Sequence, residues 1–406
     1  MAVYLSAIIA FSVLILATDV WFYVKMKKHG VRPWLRKAWF LPGILFILTF
    51  IYLRYSIIHN ESFQYLSRVT WIFVAFALLY TPKILYILFY YLNYAFNKIF
   101  RRQGRVFRFV GVGFALIFTI IFVYGVFVTR DAFYLKEQVI EVEGLPEGFD
   151  GYRIALFADF HLGNWDRRYG IMKPIATMIN QSNPDIIVFA GDMVNNYHQE
   201  TYGWEPYFRQ LSSRKGNFAV LGNHDYGDYT QWKSATAKEQ NFEQIKKNIR
   251  DMGFRLLLNE HVELENRGDT LTLVGVENFG GGHFNDYSDL NKALAGSDPH
   301  RMKILITHDP SHWREEVAGK KPEIFLSMSG HTHAGQVGIA TGALRYSPIS
   351  VMYPEWEGLY REKNQYLYVN RGIGYVGIPI RIGMPPEITL IVLKKKNLSI
   401  SKLANE

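Results

Sequence analysis

The sequence predicts two structural parts, a multi-span α-helical membrane bundle followed by an α/β domain. Three observations lead to this prediction. The chain has 406 residues, of which 49% are hydrophobic, and long apolar stretches fill residues 1–130. After Arg130 the pattern changes to short apolar runs separated by segments with helical periodicity. The chain contains no Cys, which excludes disulfides, thiolate ligands and Cys nucleophiles.

The positive charge of the chain is concentrated in the first part. Residues 1–129 contain 14 basic and two acidic residues, a net charge of +12, whereas the remainder contains 31 basic and 34 acidic residues, a net charge of −3. A slightly acidic domain offers no basic surface for a phosphate backbone, so we expect no nucleic-acid partner. The basic excess instead indicates a membrane topology.

Four apolar stretches predict four transmembrane helices in a transmembrane domain at residues 1–130. Three of them approach or exceed the roughly 20 residues that cross the hydrocarbon core, and the second is short unless it begins near Trp34. A linker to the second domain is expected at residues 131–150, where Gly and Pro occur from Glu143 onwards. The predicted helices are 3–24, 38–53, 69–92 and 109–128.

Basic residues in the short loops set the expected orientation. Six Lys or Arg residues lie between the first two stretches, and Lys98, Arg101, Arg102 and Arg105 lie between the last two, whereas the connection 54–68 is poor in charge. Loops rich in Lys and Arg stay in the cytoplasm, so the chain after Arg130 is expected on the outer face of the membrane. The prediction is an integral, multi-pass protein of a bacterial inner or plasma membrane. This sidedness fails if the short second stretch does not cross.

Two charged residues lie inside the apolar stretches. Lys83 follows Pro82 in the third stretch, and Asp19 lies in the first. A charge within a bilayer is costly and faces the bundle interior or water, so Lys83 needs a polar surrounding. Two interpretations stand: the residues pair with each other, or Asp19 reaches interfacial water while Lys83 extends its amine to the membrane surface.

The second domain, residues 151–406, is predicted to alternate strands and helices, which is typical of the α/β class. Short apolar runs that end in polar clusters indicate buried strands, and the segments between them have helical spacing. The predicted strands are 153–158, 185–190, 218–221, 270–276, 303–307 and 324–329, and the predicted helices are 171–181, 204–214, 237–252 and 288–295.

Residues that can ligate metals follow five of the predicted strands. A single Asp or His at such a position is more simply a helix cap or a loop residue, but repetition at five strand ends argues for a site. Open α/β sheets bind ligands at the carboxyl ends of their strands, so these side chains are expected to converge. They are Asp159, His161, Asp192, Asn223, His224, Asp225, His308, His331 and His333.

The chemistry of these side chains suits two divalent metal ions. Carboxylate and amide oxygens are mixed with imidazole nitrogens, a set that leaves Mn, Fe and Zn open. Two ions roughly 3.5–4 Å apart can hold a hydroxide and bind both non-bridging oxygens of a phosphate, which favours in-line attack at phosphorus. Gly191, Gly222 and Gly330 would let the backbone approach the ions closely.

With these motifs in this order, the sequence resembles the calcineurin-like metallophosphoesterases. The matching motifs are Asp159-x-His161, Gly191-Asp192, Gly222-Asn223-His224-Asp225, His308 and Gly330-His331-Thr332-His333. Segments 330–336 and 385–389 are similar to the membrane-attached bacterial branch and to its vertebrate transmembrane relatives. The resemblance covers roughly residues 150–395 and implies an αββα two-sheet sandwich.

The resemblance also implies a role for each residue, and a metal-dependent phosphoric ester hydrolase. Phosphodiesterase, phosphatase and pyrophosphatase activities stay open. His224 would lie near the leaving-group oxygen as a general acid or a stabilising cation, and Asp225 would orient its ring. One metal would be held by Asp159, His161, Asp192 and His333, and the other by Asn223, His308, His331 and the bridging Asp192.

Aromatic and glycine-rich segments flank the expected site and bear on the substrate. Residues 226–232, 279–284 and 346–360 could accept a lipid tail or rest on the bilayer, or they could simply pack on the sandwich as surface loops. Arg371 and Arg381 could bind a phosphate or form surface salt bridges. The expected partners are the membrane lipid bilayer and a phosphate-containing lipid or cell-envelope substrate.

Three alternative functions remain at this point. The first is a role like that of the UDP-2,3-diacylglucosamine pyrophosphatases of lipid A biosynthesis, although nucleotide-linked precursors are cytoplasmic and the expected orientation is not. The second is a non-catalytic membrane sensor or transporter with a metal-binding module, which the charges Asp19 and Lys83 favour. The third, a nuclease, is disfavoured by the net charge of −3 after residue 129.

Overall fold

The described residues, 2–59 and 64–396, form two compact units in this computed structural model, with side chains described for residues 8–53 and 69–396. A helical unit extends to Val126, and an α/β unit begins at Phe127. The helices of the first unit are α1 (Ala2–Lys28), α2 (Pro33–Ala38), α3 (Leu41–His59), α4 (Gln64–Ile99) and α5 (Val106–Phe127).

Four stretches of these helices are long and apolar enough to cross a membrane. They cover Ile8–Lys28, Pro33–Leu53, Val69–Ile99 and Val106–Asp131, so all four predicted spans are present as apolar helices. The second is not short, because α2 begins at Pro33 and, together with α3, gives a stretch of 21 residues. The protein is therefore a multi-pass membrane protein by length and composition of its helices.

Within the helical unit, Asp19 and Lys83 pair with each other. The Nζ atom of Lys83 lies 2.9 Å from Oδ1 of Asp19, and the hydroxyl of Tyr80 donates to Oδ2 at 2.8 Å. A Cβ at Gly43 of α3 would lie 2.4 Å from that Oδ2, so α3 passes directly over the carboxylate. The first interpretation from the sequence is thus confirmed, and the pair links α1 to α4 away from lipid.

The described residues of the α/β unit form two six-stranded sheets and one two-stranded antiparallel sheet, β10-β11. One six-stranded sheet has the order β1-β14-β2-β3-β4-β5, and the other has the order β12-β13-β9-β8-β7-β6. The strands are β1 (Tyr134–Val142), β2 (Arg153–Phe157), β3 (Ile186–Ala190), β4 (Asn217–Val220), β5 (Arg255–Leu256), β6 (Glu260–Asn266), β7 (Asp269–Gly275), β8 (Lys303–Ile306), β9 (Ile324–Ser329), β10 (Ile339–Thr341), β11 (Leu344–Tyr346), β12 (Gly358–Glu362), β13 (Gln365–Val369) and β14 (Glu387–Lys395).

The sheets pack face to face, and helices cover their outer faces. One buried cluster joins side chains of both sheets, for example Leu156 and Val188 with Leu273 and Met328. Separate clusters pack α6 and α8 on the first sheet and α9 on the second. The helices are α6 (Met172–Gln181), α7 (Glu205–Phe208), α8 (Ala235–Asp251) and α9 (Leu290–Leu294). The layers run α, β, β, α, as the resemblance implied.

Parallel pairing sets the position of the site. Strands β2, β3 and β4 are parallel neighbours in the first sheet, and β7, β8 and β9 are parallel neighbours in the second. The carboxyl ends of parallel neighbours lie at one edge, so residues that follow these strands are brought together.

The linker predicted at residues 131–150 is wrong. Tyr134–Val142 is strand β1, which pairs in parallel with β14 from Tyr134↔Glu387 to Val142↔Lys395. β1 is the edge strand of its sheet, and its exposed positions include Glu137 and Glu141 beside Val139. The helix predicted at 204–214 is also shorter than expected, since α7 ends at Phe208.

Candidate metal centre

The seven predicted metal ligands converge at the carboxyl edges of the two sheets. Asp159 and His161 follow β2, Asp192 follows β3 and Asn223 follows β4, whereas His308 follows β8 and the last two ligands follow β9. The two sheets are joined at this point, because the backbone N–H of His331 donates to both carboxylate oxygens of Asp159 at 3.0 Å.

One group of ligands is formed by Asp159, His161 and His333, whose ligating atoms all lie within 4.8 Å of one another. The Nε2 atoms of His161 and His333 are only 3.1 Å apart, and Nε2 of His333 lies 3.7 Å from Oδ1 of Asp159. This group corresponds to the first ligand set that the resemblance implied.

A second group, formed by Asn223, His308 and His331, lies beside the first, and the carboxylate of Asp192 lies between the two. Oδ1 of Asn223 is 2.9 Å from Nδ1 of His331 and 3.1 Å from Nε2 of His308. Oδ2 of Asp192 lies 3.2 Å from Nε2 of His308 and 3.5 Å from Nε2 of His161. Asp192 therefore faces both groups, which is the geometry that a bridging ligand requires.

The donor set fits a pair of divalent cations. Asp159 and His308 are fully buried, and imidazole nitrogens face each other at 3.1 and 3.2 Å. Lone pairs of neutral imidazoles at such distances repel unless a proton or a cation lies between them. Two carboxylates, four imidazoles and one amide, with no thiolate, are ligands that Mn, Fe or Zn accept.

Burial shifts the pKa values of the site, and the lowered values of His161 and His331 suit metal ligation. Burial raises the pKa of Asp159 to about 7 and lowers the pKa of His161 to about 3 and that of His331 to about 4. Burial also opposes protonation of His308, but the nearby carboxylates of Asp192 and Asp159 outweigh it and raise its pKa to about 10. Neutral imidazoles are the form that binds metals, and a cation would take the place of the proton on His308.

Five of the seven ligands have a positive φ. The left-handed region is uncommon for residues other than Gly and costs of order 1 kcal/mol or more at each position. Such conformations cluster where the surrounding structure holds side chains in a functional geometry. The residues are Asp159 (φ 54°), His161 (51°), Asp192 (61°), His331 (74°) and His333 (50°).

His224 lies beside the two groups and lines the open cleft above them. Its Nδ1 is 2.9 Å from the carbonyl oxygen of Asn195 and must donate to it, because a carbonyl only accepts. The other ring nitrogen, Nε2, is therefore the one available for catalysis. The backbone N–H of His224 donates to Oδ1 of Asp192 at 2.9 Å.

The predicted role of Asp225 is wrong in its detail. Its carboxylate does not hold the His224 ring; it accepts from the backbone N–H groups of Gly222, Asp192, Met193 and Val194 at 2.9–3.1 Å. Asp225 is fully buried and faces the turn that carries Asp192. It thus supports the bridging carboxylate, and the carbonyl of Asn195 orients His224 instead.

Neither Arg371 nor Arg381 is placed to bind a phosphate, and neither is on the surface. Arg371 pairs with Glu357 at 3.0 Å and lies 3.5 Å from Glu387. Arg381 is fully buried and donates to backbone carbonyls, among them those of Arg371 at 2.8 Å and Gly372 at 3.1 Å. Its role is to hold the segment after β13 against the first ligand group.

A cleft of about 380 Å³ opens above the two groups. Its polar floor includes Asp192, Asn223, His224, His331 and His333, and its walls are mostly apolar or aromatic. The wall residues are Tyr229, Phe284, Ile349, Met352, Tyr353 and Val376. The aromatic segments identified in the sequence thus flank the site, and two of them contain Tyr229 and Tyr353.

Glu200 supports the site from outside the sequence motifs, and nothing in the sequence indicated its role. Glu200 is 3% exposed, and its carboxylate accepts from the backbone N–H groups of Gly163, Asn195, Asn196 and Tyr197. It therefore fixes both the segment after His161 and the carbonyl of Asn195 that orients His224.

Comparisons with known proteins agree with this geometry. A family model described as calcineurin-like phosphoesterase matches residues 152–335. A transmembrane protein with metallophosphoesterase domain from Danio rerio is 33% identical over 296 residues, which cover 69% of this chain but only 62% of that protein's length. The metallophosphoesterase YkuE of Bacillus subtilis is 31% identical over 270 residues, which cover 64% of this chain and 85% of YkuE.

A further relative matches beyond the α/β unit. A metallophosphoesterase of Helicobacter pylori strain J99 is 27% identical over 360 residues, which cover 86% of both chains. That match is longer than the α/β unit alone, so it extends into the helical part.

Three glycines permit the close packing of the ligands, and Gly222 offers the cleanest test. A Cβ at this position would lie 2.3 Å from Oδ1 of Asp192, whereas its φ of −104° suits any residue. We expect Gly222→Ala to displace Asp192, to lower the free energy of unfolding by about 1–3 kcal/mol, and to reduce the bound metal. Thermal unfolding and elemental analysis of the purified protein measure both effects.

Gly170→Ala is the matched control, because a Cβ there would meet nothing within 4 Å. Unchanged metal content and stability in Gly222→Ala would contradict the close packing at Asp192.

Proposed function

The chain belongs to the calcineurin-like metallophosphoesterase family, and we propose that it is a membrane-anchored, metal-dependent hydrolase of a phosphate ester or pyrophosphate. The observation that carries this proposal is the shared carboxylate of Asp192, which faces both ligand groups at the floor of an open cleft. All seven metal ligands of the family motifs are present in the α/β unit, which argues against a domain that only binds a partner.

The residues of the cleft divide the chemistry between them. A pair of divalent cations, held by the seven ligands, would activate water and neutralise the charge of the phosphate. His224 directs Nε2 away from its bond to Asn195, so a protonated ring there can give a proton to the leaving oxygen or stabilise negative charge. Asp225 and Glu200 keep the backbone of this region fixed through their buried carboxylates.

Catalysis by this site is tested with the full-length protein and a generic aryl phosphodiester. We expect Mn²⁺-dependent turnover in the wild type, a loss of roughly 10²- to 10⁴-fold in kcat for His224→Ala, and no detectable turnover for Asp192→Asn. The exposed His300 serves as control, because His300→Ala leaves the site untouched. A wild type that binds two cations yet is as inert as both variants would favour the sensor or transporter alternative.

The proposed substrate is amphiphilic, a phosphate-containing lipid or cell-envelope component, and the bilayer is the proposed partner. The cleft walls support this, since Ile349, Met352 and Val376 face the space beside the ligands. The adjoining turn exposes further apolar surface, with Val351 82% and Met352 60% exposed. Exposed apolar clusters at a binding cleft mark contact with an apolar ligand or a membrane.

A pair of synthetic substrates tests the apolar wall. We expect the wild type to prefer hexyl p-nitrophenyl phosphate over methyl p-nitrophenyl phosphate by about tenfold in kcat/KM, as roughly two buried methylene groups would give. Met352→Glu should abolish this preference without changing turnover of the methyl ester. Val139→Glu on the edge strand β1 is the control, because Val139 is 46% exposed outside the cleft.

The hexyl ester partitions into detergent to the same extent for every variant. Differences between proteins in the ratio of kcat/KM for the two esters therefore report on the cleft. Equal preference in the wild type and Met352→Glu would remove the support for an amphiphilic substrate.

We further propose that the α/β unit lies on the outer face of the membrane. The proposal rests on the basic residues of two connections between spans, because short loops rich in Lys and Arg generally stay in the cytoplasm. A UDP-2,3-diacylglucosamine pyrophosphatase-like role in lipid A biosynthesis is the narrower alternative, and it requires the opposite side.

Single cysteines decide the orientation, because the natural chain has none. Lys98 lies in the last turn of α4 and Lys136 lies in β1. We expect Lys136→Cys, but not Lys98→Cys, to react with a membrane-impermeant maleimide in intact cells, and both to react after permeabilisation. The reverse pattern would contradict the outer placement and favour the lipid A role.

A further inference from the structure

The amide of Asn223 is held from behind by a tyrosine. Its Nδ2 donates to the hydroxyl of Tyr229 at 2.6 Å, while its Oδ1 faces His308 and His331. An amide that rotated by 180° would direct its N–H groups at the cation site, where they cannot ligate. In the orientation that can bind a metal, the outward N–H group of Asn223 is therefore satisfied by the hydroxyl of Tyr229.

The ring of His331 is held in the same way by a second tyrosine. Its Nδ1 faces Asn223 and His308, and its Nε2 lies 2.8 Å from the hydroxyl of Tyr353. Ligation through Nδ1 requires the ring proton to be on Nε2, and the hydroxyl of Tyr353 is placed to accept a hydrogen bond from that N–H group. His308 follows the same rule, because its Nδ1 donates to the carbonyl of Ala190 at 2.7 Å and leaves Nε2 for the metal.

The two tyrosines come from different segments, and both line the substrate cleft. Tyr229 lies in the turn after the Asn-His-Asp motif, and its ring is 4.4 Å from that of His224. Tyr353 follows the exposed apolar turn that carries Val351 and Met352 and is itself 6% exposed. Both hydroxyls thus connect cleft walls to ligands of the second group, and neither contacts a ligand that belongs to the first group alone.

We propose that Tyr229 and Tyr353 are positioning residues that set the affinity of the second cation. When the inner atom of each ligand faces the cation, the outer N–H group donates to one of these hydroxyls, which supports the ligating orientation. The inference rests on the proposed metal pair. Such outer hydrogen bonds typically change metal affinity by roughly 10- to 100-fold, so the cleft walls and the occupancy of the second site are coupled.

Metal binding, measured apart from activity, tests the proposal. Full-length wild type, Tyr229→Phe and Tyr353→Phe are dialysed against graded Mn²⁺, and bound metal is measured by elemental analysis and by electron paramagnetic resonance. We expect the wild type to bind two ions with a spin-coupled spectrum. In each variant the second ion should require about 10- to 100-fold more Mn²⁺, and at intermediate Mn²⁺ the spectrum should be that of isolated ions.

Tyr226→Phe is the matched control. Tyr226 is 4% exposed and directly follows the Asn-His-Asp motif, but the partner of its hydroxyl is Glu277, at 3.1 Å, which is not a metal ligand. We expect the second site of Tyr226→Phe to bind Mn²⁺ with the same affinity as that of the wild type. Thermal unfolding without metal should show that all variants are folded.

Each remaining outcome overturns the proposal in a distinguishable way. Unchanged second-site affinity in both Phe variants contradicts the positioning role while leaving the metal pair intact. An equal loss at both sites, or the same loss in Tyr226→Phe, shows a general structural effect. A wild type that binds fewer than two ions removes the metal pair itself, and with it the proposed function.

Discussion

The carboxylates of Asp159 and Asp192 are buried beside four imidazoles, and the metal centre of the α/β unit depends on how their negative charge is compensated. Burying an anion without a compensating charge is costly, and the imidazoles of His161, His331 and His333, whose pKa values are lowered by burial, are neutral and supply no charge. Cations between the groups would satisfy the carboxylates and separate the imidazole nitrogens that lie 3.1 and 3.2 Å apart. Metal binding and the integrity of this edge of the sandwich are therefore expected to be linked.

The surrounding structure supports the ligands from their outer sides. Asp225 and Glu200 collect backbone N–H groups, the carbonyl of Ala190 fixes His308, and Arg381 draws the segment after β13 together. These contacts hold ligands in left-handed conformations that an isolated chain would leave. The same principle operates in the helical unit, where Lys83 and Tyr80 bind the buried carboxylate of Asp19.

Much of this architecture could be predicted from the sequence, because apolar stretches and motif spacing are local properties. The four spans, the central strands and the convergence of the seven ligands all follow from such patterns. Contacts between distant residues could not be predicted: Asp225 adjoins His224 in sequence but binds the turn of Asp192, 32–33 residues earlier. Edge strand β1 could not be predicted because polar residues interrupt its apolar ones and leave no continuous apolar run. The position of Arg381 could not be predicted because its carbonyl partners come from an irregular segment.

The pairing of β1 with β14 has a consequence for how the protein is made. β14 lies between β1 and β2 in its sheet, so the strand that follows the last span finds its neighbour some 250 residues later, as Tyr134 and Glu387 do. Contacts of such sequence separation form slowly. The ribosome must therefore have synthesised β14 before the first sheet can close, and until then the unpaired edges of β1 and β2 are open to other chains.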